Sequence, residues 1–433
     1  MNTLIIGAPD SHVTKKLVNN KLLNVQFLIN NLKDFHQDIN IEEIIKYHLD
    51  ESYFYFSEND QKNYQNFFEK NFNTFSFQFM RRGSKTLDIY ELRNFFACYY
   101  YGFSNILKQK KIDLMIFFSF PHLGYDFILY QLAKIYNIKT ILMYPTIIPN
   151  KHFMVKSIED LGSFDEKRIN NQVFVNLKSL HKMRDKYVLE QKDSLAARIK
   201  KFQRIKIDRQ IFKKLILKLL IKLKIIYRDD INNQLKRYKN NLKKLEKSFE
   251  EIKSKTKSKK IIYIPLHLQP ELTTSVLGGH YEDQLSAIER LSAFSKDEWI
   301  VVVKENPFQT SFQRDSFFFK RIKYLKNVFL IDNKINSKKI LDISDLTATV
   351  GGTIGFESLI ENKKTLVFGN TWFKNCHGVL RVNDKTTDNE INNFINSKFD
   401  KNRSEKDLIN ILSTSYSGVI ELKRKEWLKD FDP

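Results

Sequence analysis

The sequence is poor in cysteine and has no long apolar run. Only Cys98 and Cys376 are cysteines among 433 residues. Two are too few for a disulfide framework or a cysteine zinc site, so a reducing cytoplasm is predicted. No apolar run reaches the roughly 18 residues that a membrane-spanning helix needs. The amino terminus, MNTLIIGAPDSH, reads as a strand from its first residues and lacks the pattern of a signal peptide.

A dinucleotide fingerprint is also missing. The first predicted strand, residues 3–6, ends at Gly7-Ala8-Pro9-Asp10, which lacks the G-x-G-x-x-G spacing. The strand still fits the start of a Rossmann-like domain.

The positive charge is concentrated in one segment. The chain carries a net charge of +22, and residues 198–260 hold 23 Lys and Arg against 6 Asp and Glu. The rest of the chain is close to neutral, so we expect no nucleic-acid partner. Within the segment, residues 212–227 alternate apolar side chains at helical spacing with lysines. This pattern fits a helix on an anionic membrane surface, reached through residues 198–228. A helix packed on the body with solvated lysines, or one that binds nucleic acid, are the alternatives.

Strand and helix patterns alternate in both halves of the chain, and 42% of the residues are hydrophobic. Buried strands are predicted at 3–6, 113–118, 139–143, 261–266, 299–303, 327–331, 347–350 and 365–368, with helices between them. The fold class is therefore α/β. We predict a Rossmann-like domain at 1–155, a basic helical segment at 156–260, and a second Rossmann-like domain at 261–405. Residues 406–433 are predicted to contain a carboxy-terminal helix, from Ser417 to Phe431, that packs back on the first domain.

Polar residues cluster where three predicted strands of the second half end. They are Gln269, Glu271, Thr273, Thr274 and Ser275 after the first strand, Lys304, Glu305, Asn306 and Pro307 after the second, and Gly352, Thr353, Gly355, Glu357 and Ser358 after the third. Open α/β sheets bind ligands at the carboxyl ends of their strands, so a binding site is predicted here. The glycines would let a phosphate approach the backbone and the following helix, with Glu357 accepting hydrogen bonds from sugar hydroxyls. A tight strand-to-helix turn packed by glycines is the alternative.

A second group of candidates lies in the first half. His122 and Asp126 follow the strand at 113–118, and Asp10 follows the first strand. Asp126 could instead only cap the helix that begins there. Arg81 and Arg82 are weaker candidates for holding an acidic group, since paired arginines are often only solvated.

Five motifs in order resemble one protein family. QPELTTS-x-x-GG, VKENP, TVGGTIGFESL and K-x-L-VFGNTW follow an amino-terminal PH-x-x-x-D-x-x-LY-x-LAK segment. Together they resemble the capsule and surface polysaccharide biosynthesis family, which includes the Kdo-transferase-like glycosyltransferases.

The resemblance implies a GT-B fold, with two Rossmann-like domains facing a cleft. It implies transfer of an acidic 2-keto sugar from a CMP-sugar donor to a surface glycan or glycolipid acceptor. The sugar would be Kdo or a nonulosonic acid such as sialic, legionaminic or pseudaminic acid. The carboxy-terminal domain would hold the nucleotide and the amino-terminal domain the acceptor.

Several residues take roles by this resemblance. Lys304, Glu305 and Pro307 match the family segment that contacts the nucleotide. Asn306 stands where the family usually has histidine, so this position can carry neither charge nor a proton. No D-x-D motif lies at the end of a predicted strand, and CMP leaves with a single phosphate. We therefore expect a metal-independent reaction with no cofactor beyond the donor.

The catalytic group is expected to be a carboxylate. Asp126 and Glu271 are the first candidates for a base or nucleophile, with Asp10 third. His122 would orient Asp126 or act as the base itself. Arg81 and Arg82 would hold the sugar carboxylate or an acceptor phosphate.

Two other functions stay open. One is a CDP-glycerol or CDP-ribitol phosphotransferase, and the other is a non-enzymatic scaffold of polysaccharide assembly. In each case the expected location is the cytoplasm, at the inner face of the inner membrane if the basic segment binds lipid.

Overall fold

Two α/β domains, each built on its own sheet, form the part of the chain that the structure describes. The structure is a computed structural model and describes residues 1–8, 11–29, 58–82, 88–148, 150–164, 177, 231–255, 259–295, 298–309, 311, 314–418 and 420. Asp10, residues 198–228 and most of the predicted carboxy-terminal helix lie outside these ranges. Arg81 and Arg82 are described only as helix backbone.

The amino-terminal domain has a six-stranded, mostly parallel sheet. Its elements in chain order are β1 (Asn2–Ile6), α1 (Ser11–Val18), β2 (Asn24–Ile29), α2 (Glu58–Arg82), α3 (Ile89–Gln109), β3 (Leu114–Phe117), α4 (Tyr125–Ile135), β4 (Lys139–Pro145) and β5 (Lys151–Val155). The strand order is β13-β5-β4-β3-β1-β2, in which β13 is a late strand. Strands β2, β1, β3 and β4 are parallel, whereas β5 and β13 are antiparallel additions. The chain runs outward in opposite directions from β1, so the crevice of this sheet lies between β1 and β3.

The carboxy-terminal domain has a seven-stranded, fully parallel sheet. Its elements are α5 (Ile231–Leu245), β6 (Glu246–Lys247), α6 (Phe249–Lys255), β7 (Lys260–Pro265), α7 (Gln284–Ser295), β8 (Trp299–Lys304), α8 (Ser316–Tyr324), β9 (Val328–Ile331), α9 (Ser337–Ile343), β10 (Leu346–Thr349), α10 (Ile354–Ile360), β11 (Thr365–Val367), β12 (Val379–Arg381), α11 (Asp388–Asn396), α12 (Lys401–Ser413) and β13 (Tyr416–Ser417).

The order of these strands fixes where a ligand can enter. It is β12-β11-β10-β7-β8-β9-β6, so β7 is central and the chain builds outward from it on both sides. The winding direction reverses between β7 and β10. In open α/β sheets the ligand crevice opens at such a reversal, outside the carboxyl ends of the strands.

Burial explains why the strands were recognisable. All six residues of β8, WIVVVK, are buried, and so are four of the six in β7. A parallel sheet is covered by helices on both faces, so its central strands are apolar without alternation. Helix starts are marked by caps, as at Asp88 before α3 and Asp315 before α8, where each carboxylate accepts a backbone N–H.

The two domains share one apolar core. Phe153 of β5 lies 6.1 Å, between ring centroids, from Trp372 of the carboxy-terminal domain. Leu408 and Leu412 of α12 belong to the same cluster. The Lys374 ammonium donates to the Glu159 carbonyl at 2.7 Å across the boundary. These contacts fix the domains to each other.

Two segments differ from their predictions. Residues 231–255, predicted as part of the segment between the domains, pack on the carboxy-terminal sheet, where β6 pairs with β9. Ser417, predicted to begin a helix, lies instead in β13, which pairs antiparallel with β5. The predicted helix is wrong at its start, because these residues form backbone hydrogen bonds with the edge of β5. A strand of two residues is too short to show a pattern in the sequence. The return to the first domain is made by α12 and this strand.

The helices within the described ranges include none that is both long and apolar enough to cross a membrane.

Candidate functional site

Three loops of the carboxy-terminal domain meet at the reversal between β7 and β10. They follow β7 (266–283), β8 (305–309) and β10 (350–353). We call this region the carboxy-terminal crevice. The predicted nucleotide residues lie in or next to these loops, but several have roles other than the predicted ones.

His267 connects the ends of β7 and β10. Its Nε2 lies 3.0 Å from the Thr349 hydroxyl and accepts from the Gly351 amide at 3.3 Å. The Gly352 amide donates to the same Thr349 hydroxyl at 2.8 Å. A Cβ added to Gly352 would come within 2.1 Å of the His267 ring. Glycine is therefore required at 352 because the imidazole lies directly against the backbone.

These contacts define the protonation state of His267. Because Nε2 accepts a backbone N–H, the proton of the neutral ring lies on Nδ1. Burial, reinforced by the nearby Arg314 guanidinium, lowers the pKa of His267 to about 4. The ring is therefore neutral at physiological pH, with its one proton on Nδ1.

Two glutamine side chains hold the His267 loop. Gln284 of α7 accepts from the His267 amide at 2.7 Å and donates to the His267 carbonyl at 3.0 Å. Gln309 makes the same pair of bonds to the backbone of Gln269, at 2.8 and 3.1 Å. Each carboxamide thus accepts from one backbone N–H of the loop and donates to the carbonyl of the same residue, as the backbone of a neighbouring strand would. The loop is therefore rigid before any ligand arrives.

A buried ion pair lies beneath this loop. The Arg314 Nε donates to Glu305 at 2.9 Å, and each residue is only 1% exposed. Arg314 also donates to the Gln269 side chain at 3.0 Å. Glu305 and Gln269 were predicted to bind the donor directly. Their polar atoms are instead bonded inside the protein, so they support the loops that line the crevice.

The end of β8 supplies a cation and a turn. Lys304 Nζ donates to Ser337 Oγ at 2.9 Å. The Asn306 side chain accepts from the Phe308 amide at 2.9 Å, which shapes the turn. Pro307, next in the chain, is exposed. Lys304 is the one of these side chains whose charge suits a departing phosphate.

The loop after β7 contains the TTS motif. Thr274 is fully buried and its hydroxyl exchanges hydrogen bonds with the backbone of Glu271, each at 3.1 Å. Ser275 is buried, whereas Glu271 and Thr273 are half-buried. The Thr274 hydroxyl therefore serves the turn, and Glu271 and Thr273 are the more accessible members.

The glycine-rich turn after β10 is less open than predicted. The amides of Gly351 and Gly352 are bonded to His267 and Thr349. A Cβ on Gly355 would come within 2.6 Å of the Phe373 ring, so that glycine serves packing.

The first helical residues after that turn are also engaged. Glu357 accepts from Thr353 Oγ1 at 3.0 Å, and Ser358 donates to the carbonyls of Lys363 and Lys364. The Ser358 hydroxyl thus belongs to the carboxyl end of α10 and not to the crevice.

The loop after β3 carries the candidates of the amino-terminal domain. Asp126 is 4% exposed. Its carboxylate accepts from the amides of His122 at 3.1 Å and Leu123 at 2.7 Å. Burial raises the pKa of Asp126, with His122 and the amide bonds acting in the opposite direction. The bonds of Asp126 run to the loop backbone and not to the His122 ring, so it fixes the loop.

His122 has the geometry of a base. Its Nδ1 lies 2.6 Å from the Phe120 carbonyl. A carbonyl only accepts, so Nδ1 carries the proton and Nε2 has the lone pair. His122 is half-buried. Among the sequence-predicted catalytic residues, His122 is the one whose tautomer leaves a ring nitrogen able to accept a proton.

Helix α2 joins the two loops. The Gly124 amide, beside His122, donates to Gln78 Oε1 at 3.2 Å. One residue earlier, Phe77 lines an interdomain cavity of about 450 Å³ together with Gln269 and Ser275. The strand-end loops of the two domains therefore contact neighbouring residues of one helix.

Sequence reasoning missed the residues that organise the crevice: His267, Gln284, Gln309, Arg314 and Thr349. Only His267 had a signal, since it follows the buried strand β7 and precedes the polar loop. Among the residues that the structure describes, no group of three or more His, Cys, Asp or Glu is arranged to hold a metal ion.

Three solved structures are among those to which this chain is similar. The beta Kdo 2,7 transferase of Thermosulfurimonas dismutans KpsC is 11% identical, covering 79% of this chain and 97% of its own, with a TM-score of 0.33. The beta Kdo 2,4 transferase of the same protein is 12% identical, covering 70% and 79%, with a TM-score of 0.31. The UDP-GlcNAc 2-epimerase of Methanocaldococcus jannaschii is 14% identical, covering 95% and 99%, with a TM-score of 0.28.

Comparison by sequence finds one family model that matches part of the chain. No curated protein matches significantly. The model of the family described as capsule polysaccharide biosynthesis protein matches residues 203–413. That range contains the crevice loops and four of the five motifs that suggested the resemblance. Residues 203–413 of this chain are therefore similar to the capsule polysaccharide biosynthesis protein family.

Proposed function

We propose that this protein is a glycosyltransferase that moves an acidic 2-keto sugar from a CMP-sugar to a surface glycan. The observation that carries the proposal is the carboxy-terminal crevice, within the family-matched residues, where His267 follows β7 and Lys304 ends the neighbouring strand β8. The sugar class, Kdo or a nonulosonic acid, is supported by the motif resemblance.

The crevice supplies groups suited to a leaving nucleotide. CMP departs with negative charge on its phosphate, which a cation and a neutral N–H donor stabilise. Lys304 Nζ, oriented by Ser337, is the cation. His267 Nδ1–H is the neutral donor, because the depressed pKa of His267 keeps its ring uncharged at neutral pH.

The acceptor would react from the amino-terminal side. In this step the acceptor oxygen bonds to C2 of the sugar while the bond from C2 to the phosphate oxygen breaks. CMP leaves with the electron pair of that bond. The acceptor proton passes to Nε2 of His122, whose tautomer is set by the Phe120 carbonyl.

The direct test is CMP release from CMP-Kdo and from CMP-sialic acid in the presence of an acidic glycan acceptor. We expect turnover with one of them. His122→Gln should lower kcat by roughly 10²–10⁴-fold, the range for a lost general base, with CMP affinity kept. His377→Gln is the matched control, because that ring bonds the Asp400 amide away from both loops.

Three outcomes would count against the proposal. Full activity of His122→Gln would remove the base assignment. Release of CMP from CDP-glycerol alone would replace glycosyl transfer with phosphoryl transfer. No turnover or binding of any donor would favour a scaffold.

A further inference from the structure

A second cavity lies in the amino-terminal domain, away from the crevice. It has a volume of about 660 Å³ and lies between the first half of α2 and the last turns of α3 and α4. Helix α4 starts beside the His122 loop. Tyr136, which follows the other end of α4, lines the cavity. At 1.5 Å per residue, the two ends are about 15 Å apart. The cavity is therefore distinct from the proposed reaction centre.

Carboxamides dominate the polar lining of this cavity. They belong to Asn63, Asn66, Asn71, Asn105 and Gln131. A carboxamide both donates and accepts, as the hydroxyl groups of a sugar do.

Buried polar groups form part of the cavity wall. Ser104 and Asn105 are each 4% exposed. The Ser104 hydroxyl has no hydrogen-bond partner among the residues that the structure describes. Buried hydroxyls are normally satisfied, so an unmet one in a cavity wall points to a ligand group.

Aromatic rings complete the lining. Tyr100 and Tyr101 lie edge to face with centroids 5.0 Å apart, and Phe67 packs 4.8 Å from Tyr100. Tyr136 also lines the cavity. Flat apolar faces beside amide groups suit the mixed apolar and hydroxyl surface of a saccharide.

The charge of the lining is positive. Lys70, Lys108 and Lys134 line the cavity, and no described aspartate or glutamate does. Lys134 pairs with Glu159 at 3.1 Å, outside the lining. Lys108 lies 5.7 Å from the centre of the Tyr136 ring. The lysines would therefore favour carboxylate-bearing sugars over neutral ones.

From these carboxamides, tyrosines and lysines, we propose that this cavity is a second saccharide site that binds an acidic segment of the acceptor glycan. The cavity would hold one segment of the glycan while the end of the glycan reacts about 15 Å away, at the other end of α4. The inference rests on the proposed function for the identity of the glycan, but its binding chemistry can be measured alone.

The test uses the full chain and a defined probe, a tetramer of α-2,8-linked sialic acid, titrated by calorimetry. Maltotetraose is the neutral comparison. The variant is Lys70→Glu with Lys108→Glu, both exposed. The matched control is Lys62→Glu with Lys139→Glu, which changes the charge equally outside the lining.

We expect the tetramer to bind the wild type, with Kd raised about tenfold or more in the cavity variant and less than twofold in the control. Asn66→Asp, at an exposed position, should weaken binding in the same direction. Equal affinity of cavity variant and control would overturn the inference, as would binding of maltotetraose as tight as that of the tetramer, or no binding of the tetramer.

Parallel titration with CMP separates this inference from the proposed function. Tetramer binding that depends on Lys70 and Lys108, without any CMP binding, would leave the saccharide site standing and remove the transferase assignment. CMP binding without tetramer binding would remove the saccharide site and leave the transferase assignment standing.

Discussion

The strand-end loops of the two domains differ in the groups that compensate their buried carboxylates. In the carboxy-terminal crevice, Glu305 is neutralised by the Arg314 guanidinium at 2.9 Å. In the amino-terminal loop, Asp126 is satisfied by backbone amides, and burial raises its pKa. A carboxylate at the end of a strand is thus no guide to a ligand, because its role depends on partners distant in sequence.

The two loops also differ in how pH acts on them. The pKa of His267 is depressed to about 4, so the folded protein resists its protonation. The pKa of Asp126 is raised, so the folded protein favours its protonation. Lowering the pH should therefore destabilise the folded protein through His267 in the carboxy-terminal crevice. It should stabilise the folded protein through Asp126 in the amino-terminal loop.

The largest expected effect comes from breaking the buried ion pair. Arg314→Met leaves the Glu305 carboxylate buried without its cation, and we expect a loss of about 3–5 kcal/mol in the free energy of unfolding. Urea denaturation measures it.

Arg321→Met is the control for that experiment. It removes a partly exposed pair with Glu289, 2.6 Å in length, and should cost below about 1 kcal/mol. Equal losses in the two variants would show that Glu305 is neutral or solvated. Adding Glu305→Gln to Arg314→Met should restore part of the stability.

A second effect concerns stability in acid. Between pH 6.5 and about 4 the unfolded chain protonates His267 and the folded protein does not, so stability falls as pH falls through this window. The full difference is up to about 3 kcal/mol, at 1.36 kcal/mol per pH unit. Denaturation curves of the wild type and His267→Gln from pH 4 to 7 measure it, and the variant should lose less.

Asp126→Asn sharpens the same measurement. Its raised pKa means that the folded protein gains protons first, so wild-type stability is favoured by acid through this group. Removing the carboxyl should make the acid-side loss steeper. A shallower loss in Asp126→Asn, or no change in His267→Gln, would contradict the contrast between the two loops.

A smaller effect is expected at Gly352. Gly352→Ala pushes a methyl group into the His267 ring, and overpacking of this kind costs about 1–3 kcal/mol. CMP affinity should fall as well, because the ring must move. In the His267→Ala background the same substitution should be nearly neutral, and a double-mutant cycle measures this coupling. Additive losses would mean that the ring is not what excludes a side chain.

The smallest expected effect is at Ser337. Ser337→Ala removes the hydroxyl that orients Lys304 and should weaken CMP binding by about 1 kcal/mol. Ser292→Ala is the control and should leave CMP affinity unchanged, because the Ser292 hydroxyl lies near the carboxyl end of α7 and donates to Asn327.

The sequence was sufficient for eight of the thirteen strands that the structure describes, because buried parallel strands are continuous apolar runs. Strands β7 and β8 were predicted within one residue at each end. Strands β2, β5 and β12 were not predicted, and neither were the two-residue strands β6 and β13, because two residues carry no periodicity.

The candidate site was less predictable. Residue types at strand ends pointed to the loops that meet at the carboxy-terminal crevice, with Lys304 beside them. They did not distinguish ligand-facing groups from supporting ones, as Glu305, Gln269 and Ser358 show. Contacts such as Gln309 to Gln269, 40 positions apart, have no local signal in a single sequence.

The most direct test of the central claim is calorimetric titration of the protein with CMP and with UDP, GDP and ADP. The account predicts selective CMP binding that Gly352→Ala weakens and that His122→Gln leaves unchanged. Binding of UDP or GDP in preference to CMP would contradict the proposed donor. CMP binding that is indifferent to Gly352→Ala would contradict the placement of the donor in the carboxy-terminal crevice.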